Sequence, residues 1–322
     1  MSINNRLPDW ALWIVRPLAW GVAMVAALVG LVAILIGIAL AVAYPNLPSI
    51  TSLTDYRPKL PLKVFSADGV LLGEFGEERR SFLPIAQIPK VMKDAVLAIE
   101  DARFYEHGGV DYIGMLRAGL AQFSDARSQG ASTITMQVAR NFYLSTEKTF
   151  TRKIYEVLLT WKIESQLSKD QILEAYMNQI FLGQRAHGFA AASEIYFGKP
   201  LKDISVAEAA MLAGLPKAPS AYNPIVNPKR ATIRQQHIIE RMQANGFISV
   251  EQAAAARAEK LQYRTQSDVA VHAEFVAETA RQLIFAQYGD DTYTRGLNAT
   301  LTVDAADQGV AYRALRRGLM EF

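Results

Sequence analysis

The chain has 322 residues, a formal net charge of +3, an apolar fraction of 51% and no cysteine. This length accommodates one membrane-spanning element plus a globular domain of roughly 150–200 residues, with some chain to spare. A charge so close to neutral does not indicate a nucleic-acid partner. The lack of cysteine excludes disulfides, thiolate metal sites and a cysteine nucleophile.

The N-terminal region carries the clearest physical signal. Residues 18–44 form a run of 27 residues without a charge, and about 20 apolar residues suffice to span a bilayer. Arg6 and Arg16 precede the run, so residues 1–17 are predicted to be a cytoplasmic tail, with the rest outside the cytoplasm. A cleaved signal peptide is the alternative, since residues 41–43 resemble a cleavage site, but its apolar core is usually only about 7–15 residues long. We therefore predict a single-pass membrane anchor.

The chain then passes from a spacer to a small hairpin and a helical domain. Four prolines make residues 45–61 a predicted stiff, extended spacer off the membrane. Asp68 and Gly69 between alternating apolar runs predict two short strands joined by a tight turn. From Ile88 the pattern becomes helical, and residues 112–123 carry apolar side chains on one broad face. Capping-box patterns predict three later helix starts, at Ser168, Ser205 and Ser249.

The composition changes near residue 225. Residues 62–225 are predicted to form one mostly helical domain, and residues 226–322 a linker region. That region contains predicted helices at 228–260, 272–288 and 305–322 and a predicted strand at 297–303. The expected fold class is therefore mainly α, with a small β-hairpin, one N-terminal transmembrane helix and a C-terminal α+β linker region.

The first candidate for chemistry is the stretch Glu100–Gly109. An apolar helix ends there in adjacent carboxylates, followed by Phe104, His107 and paired glycines. A carboxylate emerging from an apolar helix is partly desolvated, which raises its pKa and suits it to accept a proton. The alternative is an ordinary polar helix end, although acids at that position are unfavourable with the helix dipole. The local pattern alone leaves both interpretations open.

Two further stretches combine hydroxyls and cations. Residues 130–141 run from glycine through Ser132 and Thr133 into a helix, which indicates either a plain N-cap or a phosphate-binding loop. In the third stretch, Arg152 and Glu156 are spaced i,i+4, and Lys153 lies three residues before the same acid. The alternatives there are a surface salt bridge, worth under about 1 kcal/mol, and a diphosphate clamp beside a second acid.

Two last stretches, at 171–178 and 187–199, complete the set. Their polar residues Glu174, Tyr176 and Asn178 are expected to organise the core rather than to react. In order and spacing, the five stretches resemble the five motifs of the family 51 glycosyltransferases. These enzymes are the peptidoglycan polymerases of class A penicillin-binding proteins and of monofunctional transglycosylases.

The resemblance covers roughly residues 60–225 and implies a lysozyme-like fold facing the outer leaflet of the inner membrane. The implied substrates are lipid II, a disaccharide-pentapeptide on undecaprenyl diphosphate, and the growing glycan strand. Glu100 would accept the proton of the acceptor 4-hydroxyl while the α-linked donor is inverted to a β-1,4 glycan. Glu156 matches the second catalytic acid, which orders the basic cluster, binds a cation or assists departure of the diphosphate. Residues 112–123 match the membrane-dipping part of the family, with packing against the domain as the alternative.

The matched motif positions also imply substrate-binding residues. Lys148, Arg152, Lys153 and Arg140 occupy the family's basic donor-site positions. The other candidates are Asp101, Phe104, His107, Ser132, Thr133, Gln137, Asn141, Asn178 and Tyr196. No cofactor and no resident metal are expected, although a Mg²⁺ or Mn²⁺ ion could accompany the diphosphate. The expected partners are the bilayer, moenomycin-type inhibitors at the donor site and other cell-wall synthesis proteins, and not nucleic acid.

Class A proteins also carry a transpeptidase domain, marked by Ser-x-x-Lys and a later Lys-Thr-Gly. Residues 145–148 match the first pattern, but we interpret the match as a coincidence. Lys-Thr-Gly is absent, and Ser145 falls between two glycosyltransferase motifs. Residues 296–304 resemble the approach to that domain, so we predict the N-terminal part of a class A protein. Two other functions stay open. A lysozyme-like glycan-cleaving enzyme needs no cationic clamp, and a catalytically silent scaffold needs neither Glu100 nor Glu156.

Overall fold

The computed structural model covers most of the chain after the N-terminal segment. It describes residues 20–31, 34, 37–38, 41, 44–50, 53, 59–76, 78–116, 132–144, 150–264 and 271–321. Within these ranges, no helix is both long enough and apolar enough to cross a membrane. The predicted anchor at 18–44 falls only partly on described residues and stays a prediction. Ser145, Lys148 and residues 117–123 lie outside the described ranges.

The described part of the chain is mainly helical. Its α-helices are α1 (Lys90–Glu100), α2 (Ile134–Tyr143), α3 (Phe150–Gln166), α4 (Lys169–Gln179), α5 (Phe189–Phe197), α6 (Val206–Ala213), α7 (Pro228–Ala244), α8 (Val250–Ala258), α9 (Glu274–Tyr288) and α10 (Ala305–Glu321). Its strands are β1 (Leu62–Phe65), β2 (Leu71–Phe75), β3 (Arg79–Arg80), β4 (Ala186–His187) and β5 (Asn298–Thr300). Short 3₁₀ helices are found at Tyr44–Asn46, Ile85–Gln87, Leu201–Asp203 and Gly289–Tyr293.

The main core is built from the apolar faces of several helices. α1 packs against α6 and α7, while α2 packs against α3 and α4. Five fully buried side chains, each from a different helix, belong to this one cluster: Met92, Leu159, Ile172, Leu212 and Ile238. Burying each contributes roughly 1.5–3 kcal/mol. The bundle therefore fixes the end of α1 relative to α2, α4 and α7.

The predicted capping boxes are present at all three helix starts. The hydroxyls of Ser168, Ser205 and Ser249 accept hydrogen bonds from the backbone three residues later, and the Gln or Glu at that position returns one. Each such cap is worth about 1 kcal/mol. The helix starts read from the sequence are therefore confirmed.

The predicted hairpin exists and gains a third strand from the C-terminal region. β1 pairs antiparallel with β2, and the turn contains Asp68 and Gly69. β5 then pairs parallel with β1, so the predicted strand at 297–303 is observed over 298–300. β1 and α9 share a small second core that buries the side chains of Leu62, Val64, Ala277 and Ala280.

The segment predicted to be an extended spacer lies against the domain where it is described. Leu47, Ile50 and Leu53 are buried in the main core. The Lys162 ammonium on α3 donates to the carbonyls of Leu47 (3.2 Å) and Pro48 (3.0 Å). Free extension of these residues is therefore not observed, because their apolar side chains gain more by burial than by exposure.

The main core also continues past residue 225. Helix α7 contributes Ile238, Ile239 and Met242 to it, and α8 contributes Ala253 and Ala256. The first half of the predicted linker region is therefore part of the main packing unit, whereas its last strand belongs to the small sheet. The domain boundary at 225 itself stays a prediction.

Gly188, at the start of α5, should tolerate no side chain. Its φ is +83°, and a Cβ there would lie 2.7 Å from the Asn178 carbonyl oxygen. We expect Gly188→Ala to lower the free energy of unfolding by about 3 kcal/mol or more, since backbone strain and a clash with main chain add together.

Gly246→Ala is the matched control, because its φ is +74° and nothing lies within 4 Å of the added carbon. It should lose only about 1–2 kcal/mol through strain. Urea denaturation followed by circular dichroism measures both variants. Equal losses would show that the contact with Asn178 is unimportant.

Candidate active site

Glu100 is the last residue of α1, and its carboxylate is held at the edge of the core. The preceding residues Met92, Ala95 and Val96 are fully buried and anchor the helix. The Glu100 side chain is half-buried, and the Gln137 amide on α2 donates to its Oε2 at 2.7 Å. The packing of α1 against its neighbours thus presents one carboxylate, in a defined orientation, to a partly dry environment.

The environment favours the protonated form of Glu100. Burial raises the pKa of this carboxyl above its usual range, and the neighbouring charge of Asp101 raises it further. The hydrogen bond from Gln137 and the charges of Arg234 and Arg140 act in the opposite direction without cancelling the effect of burial. A carboxylate with a raised pKa accepts a proton more readily near neutral pH, as a general base must.

Tyr176 on α4 fixes the orientation of the Gln137 amide. Its hydroxyl is 3.5 Å from Gln137 Oε1, at the limit of a hydrogen bond. Burial, together with the charge of Glu100, raises the pKa of Tyr176 well above its ordinary value. Since the phenol remains a donor, it holds the oxygen of Gln137 towards itself and the NH₂ group towards Glu100. The expectation that Tyr176 organises the core therefore fits its position.

Asp101 ties the loop after α1 to the start of α2. The His107 Nδ1 accepts from the Gly109 amide (3.1 Å), so Nε2 carries the proton and donates to Asp101 Oδ1 (2.9 Å). Asp101 Oδ2 also accepts from the Ile134 amide (3.1 Å). Asp101 is buried, and the His107 side chain is almost fully buried. Both residues position the loop, and their predicted contact with substrate stays a prediction.

Phe104 forms the apolar centre of the same loop. Its ring is fully buried, and the Lys169 ammonium lies 4.4 Å from its centroid. Thr133 caps α2 by accepting from the Met136 amide and also donates to the Gly109 carbonyl at 2.5 Å. In this arrangement both Phe104 and Thr133 are used inside the protein. Their predicted contact with substrate stays a prediction.

A second cluster joins the start of α2 to α3. The Lys153 ammonium contacts Glu156 Oε1 at 2.8 Å and Ser132 Oγ at 3.3 Å. Glu156 is only 1% exposed, whereas the Lys153 side chain is 46% exposed. A buried acid thus holds a cation whose charged end still reaches solvent. Among the roles considered for Glu156, this contact favours ordering of the basic cluster.

The remaining basic and polar candidates divide between the site and the interior. Arg140 is half-buried in the last turn of α2, and its charge acts on Glu100. Asn141 is exposed one residue later, and Arg152 is half-buried on α3 beside Lys153. Lys148 lies outside the described residues, so its predicted role stays a prediction.

The polar groups of Asn178 and Tyr196 form hydrogen bonds with the protein backbone. Asn178 exchanges two hydrogen bonds with the backbone of Leu83, at 2.8 and 2.9 Å. The fully buried Tyr196 donates its hydroxyl proton to the Leu182 carbonyl at 2.9 Å. Both residues tie loops to helices around the site. Their predicted contact with substrate stays untested.

One charged residue near Glu100 escaped the sequence reasoning. Arg234 is on α7, in the stretch predicted to be a linker, and belongs to none of the five motifs. Of the two arginines that act on Glu100, it has the larger effect. The only signal in the sequence was an arginine in a polar helix, which usually indicates a solvated face.

The described residues offer no ready metal centre. Among them, no group of three or more His, Asp or Glu side chains could hold a metal ion. The predicted Mg²⁺ or Mn²⁺ ion at the diphosphate stays a prediction.

Comparison with known proteins gives the class to which this site belongs. The family described as transglycosylase matches residues 68–243. That range contains both clusters and all five motifs, and it is more than half of the chain. The chain belongs to the transglycosylase family.

The similar proteins are more specific. The chain is 55% identical over 290 residues to penicillin-binding protein 1A of Neisseria flavescens, covering 89% of this chain and 36% of that protein. It is 46% identical over 281 residues to penicillin-binding protein 1A of Pseudomonas aeruginosa, covering 86% of this chain and 34% of that protein. It thus spans about a third of the length of these relatives. The resemblance to the N-terminal region of class A penicillin-binding proteins is confirmed.

A solved structure also matches the chain. The 2.6 Å crystal structure of penicillin-binding protein 1A from Haemophilus influenzae is 29% identical, covering 80% of this chain and 29% of that one, with a TM-score of 0.45.

Glu100→Gln should make the protein more stable at pH 8. Because burial raises the pKa of the folded-state carboxyl, the folded state binds its proton more tightly than the unfolded state. Stability is then lost as the pH rises from the unfolded pKa through the folded one. Glutamine keeps the shape but cannot ionise, so the variant avoids this loss.

Thermal denaturation at pH 8 and at about pH 4 checks this, with a smaller difference expected at the lower pH, where wild-type Glu100 is mostly protonated in both states. Glu194→Gln removes an exposed carboxylate and should leave the midpoint unchanged. A Glu100→Gln variant less stable than wild type at pH 8 would show that the attraction of its arginines outweighs burial.

Proposed function

We propose that this chain polymerises lipid II into β-1,4 glycan strands of peptidoglycan, with Glu100 as general base. The observation that carries the proposal is the half-buried Glu100 carboxylate, oriented by Gln137 at 2.7 Å. Gln137 lies on α2, and Ser132 just before that helix contacts Lys153. One short helix thus links the base to a solvent-reaching cation. This is the pairing that attack by a hydroxyl on a sugar diphosphate requires.

The proposed step moves one proton and exchanges one bond. The 4-hydroxyl oxygen of the acceptor GlcNAc attacks C1 of the donor MurNAc from the face opposite the diphosphate. As the new C–O bond forms, the bond from C1 to the diphosphate oxygen breaks with its electron pair. Glu100 accepts the hydroxyl proton, and undecaprenyl diphosphate leaves. The configuration at C1 is inverted because attack and departure occur on opposite faces.

Charge on the leaving group needs a positive environment. Lys153, Arg152 and Arg140 supply cations on α2 and α3, and Glu156 keeps Lys153 in place. Charge-assisted contacts to phosphate oxygens are about twice as strong as neutral ones. In this proposal Lys148 joins the same cluster. In this proposal a Mg²⁺ or Mn²⁺ ion at the diphosphate is optional.

The substrate also sets the proposed location. Lipid II is anchored in a bilayer, so the site must work at a membrane surface. Tyr112, Ile113 and Leu116, shortly after the loop that follows α1, are each about 60% exposed. This exposure of large apolar side chains supports contact of residues 112–116 with lipid. We therefore propose a lysozyme-like catalytic domain on the periplasmic side of the inner membrane, held by the anchor predicted at 18–44.

In this proposal the activity belongs to one part of a longer protein, since the chain spans about a third of the length of its relatives. The chain contains no Lys-Thr-Gly, so in this proposal any peptide cross-linking belongs to the part of the relatives that it does not span. Membership of the transglycosylase family does not favour the glycan-cleaving enzyme or the silent scaffold. Moenomycin-type inhibitors are proposed to bind at the basic cluster, in place of the donor diphosphate.

The decisive assay uses labelled lipid II. Wild-type protein in detergent should convert it to long glycan, resolved by size on a gel, and Glu100→Gln should lose about a hundredfold or more in rate, since general-base catalysis contributes roughly 10²–10⁴. Glu194→Gln, which removes an exposed carboxylate on α5, should polymerise normally.

Two outcomes would contradict the proposal. Polymer formed at the wild-type rate by Glu100→Gln would remove Glu100 as base. Cleavage of preformed glycan without any synthesis would identify a hydrolase.

Lys153→Gln tests the basic cluster separately from the base. Loss of its charge should weaken moenomycin binding and raise KM for lipid II by about tenfold each, because a charge-assisted phosphate contact is lost. Lys162→Gln is the control, because Lys162 lies on the same helix and its ammonium contacts the carbonyls of Leu47 and Pro48. Calorimetry of moenomycin binding gives the affinity. Equal affinities for both variants would place the diphosphate site elsewhere.

A further inference from the structure

Glu164 joins α3 to α2 and α4 from outside the five motifs. It lies in the last turn of α3, and its side chain is only 12% exposed. Its Oε1 atom accepts two hydrogen bonds, from the Thr135 hydroxyl at 2.5 Å and from the Lys169 ammonium at 2.7 Å. One carboxylate oxygen of α3 thus meets the first turn of α2 and the first residue of α4.

The Glu164 side chain is itself held in place by its surroundings. The Lys169 ammonium also lies 4.4 Å from the centroid of the buried Phe104 ring, and an aromatic face attracts a cation at this distance. A Cβ added at Gly109 would lie 2.8 Å from Glu164 Cγ, so the backbone of this glycine passes close to the Glu164 stem. The carboxylate that meets Thr135 therefore has a defined position.

Thr135 transmits this position to α2. Its side chain is fully buried, and its hydroxyl donates to Glu164. Thr135 and Gln137 are two positions apart on α2, so their side chains point about 200° apart around the helix axis. A directed hydrogen bond on one side of a helix restricts rotation of the helix about that axis. The bond to Glu164 therefore sets the direction in which Gln137 leaves the opposite side.

The hydrogen bond on that opposite side needs such a restriction. Gln137 donates to Glu100 Oε2 at 2.7 Å, and a hydrogen bond weakens steeply as its donor turns away from the acceptor. Ile134 and Val138 bury α2 in the main core, but the hydrophobic effect has no preferred direction. Apolar packing thus holds α2 in the domain, while the polar contact with Glu164 fixes its rotation.

We propose that Glu164 is a positioning residue for glycosyl transfer, which fixes the rotation of α2 through Thr135 and so aims the Gln137 amide at the Glu100 carboxylate. The proposal rests on the proposed function, in which Glu100 is the base. Glu164 acts only through Gln137 and does not contact the substrate. It extends the support of the base to a residue between the third and fourth motifs.

The first test separates kcat from KM in lipid II polymerisation. Glu164→Ala should lower kcat by about tenfold or more and leave KM within about twofold, because a base misplaced by about 1 Å can lose roughly a hundredfold in rate. Glu164→Gln should keep at least about half of the wild-type kcat, since its amide oxygen can still accept from Thr135. Gln166→Ala, which truncates an exposed side chain at the end of α3, should change neither constant.

The second test asks whether Glu164 acts through Gln137. In protein that already carries Gln137→Ala, adding Glu164→Ala should lower kcat by less than about twofold, because effects that pass through one shared residue do not add. A general loss of structure would instead lower kcat by the same factor in both backgrounds.

Other results overturn the inference. Wild-type kcat in a Glu164→Ala variant that is folded by circular dichroism would show that the contact does not position the base. An equal loss of kcat with and without Gln137→Ala would show that Glu164 acts by another route.

A variant on the other side of the contact covers a failure of Glu164→Ala to fold. Thr135→Val removes the same hydrogen bond and leaves Glu164 paired with Lys169. It should give the same loss of kcat and the same lack of additivity with Gln137→Ala, and wild-type kcat in this variant would overturn the inference. Failure of wild-type protein to polymerise lipid II would instead contradict the proposed function.

Discussion

The candidate site depends on one contact, the hydrogen bond from Gln137 to the Glu100 carboxylate at the end of α1. Burial makes the ionised carboxylate unfavourable, and the amide bond and two nearby arginines offset part of that penalty. The contact exists only because the core holds α1, α2, α4 and α7 together. Burial and these opposing interactions together leave Glu100 in a fixed orientation with a raised pKa. A carboxylate on the open surface would have neither property.

Several other residues of the five motifs hold the loops and the helix start around this contact. Asp101 and His107 brace the loop after α1, and Thr133 begins α2. Asn178 and Tyr196 secure loops further away. A short sequence motif can therefore mark a candidate site through residues that hold the surrounding loops in place, because a proton acceptor must be held within a fraction of an ångström.

The C-terminal third of the chain is more closely involved than its polar sequence indicates. α7 and α8 belong to the main core, and β5 completes the sheet begun by the hairpin. The charge of Arg234, which lies in this region, acts on Glu100. Sequence reasoning separated it at residue 225, because the composition changes there while the packing does not.

The sequence by itself determined the helical class, the hairpin turn and the three capped helix starts, and it marked Glu100 and Glu156 as candidates. These features depend on local spacing and on short motifs, whose residues lie close together in the sequence. Only the tertiary structure decided that Phe104 and Asn178 face inward, that Leu47, Ile50 and Leu53 pack onto the domain, and that the charge of Arg234 acts on Glu100. Burial and charge depend on residues distant in the chain, about 130 positions apart for this last pair. The family motifs therefore pointed to Glu100, but its partial burial and its hydrogen bond from Gln137 came from the packing around it.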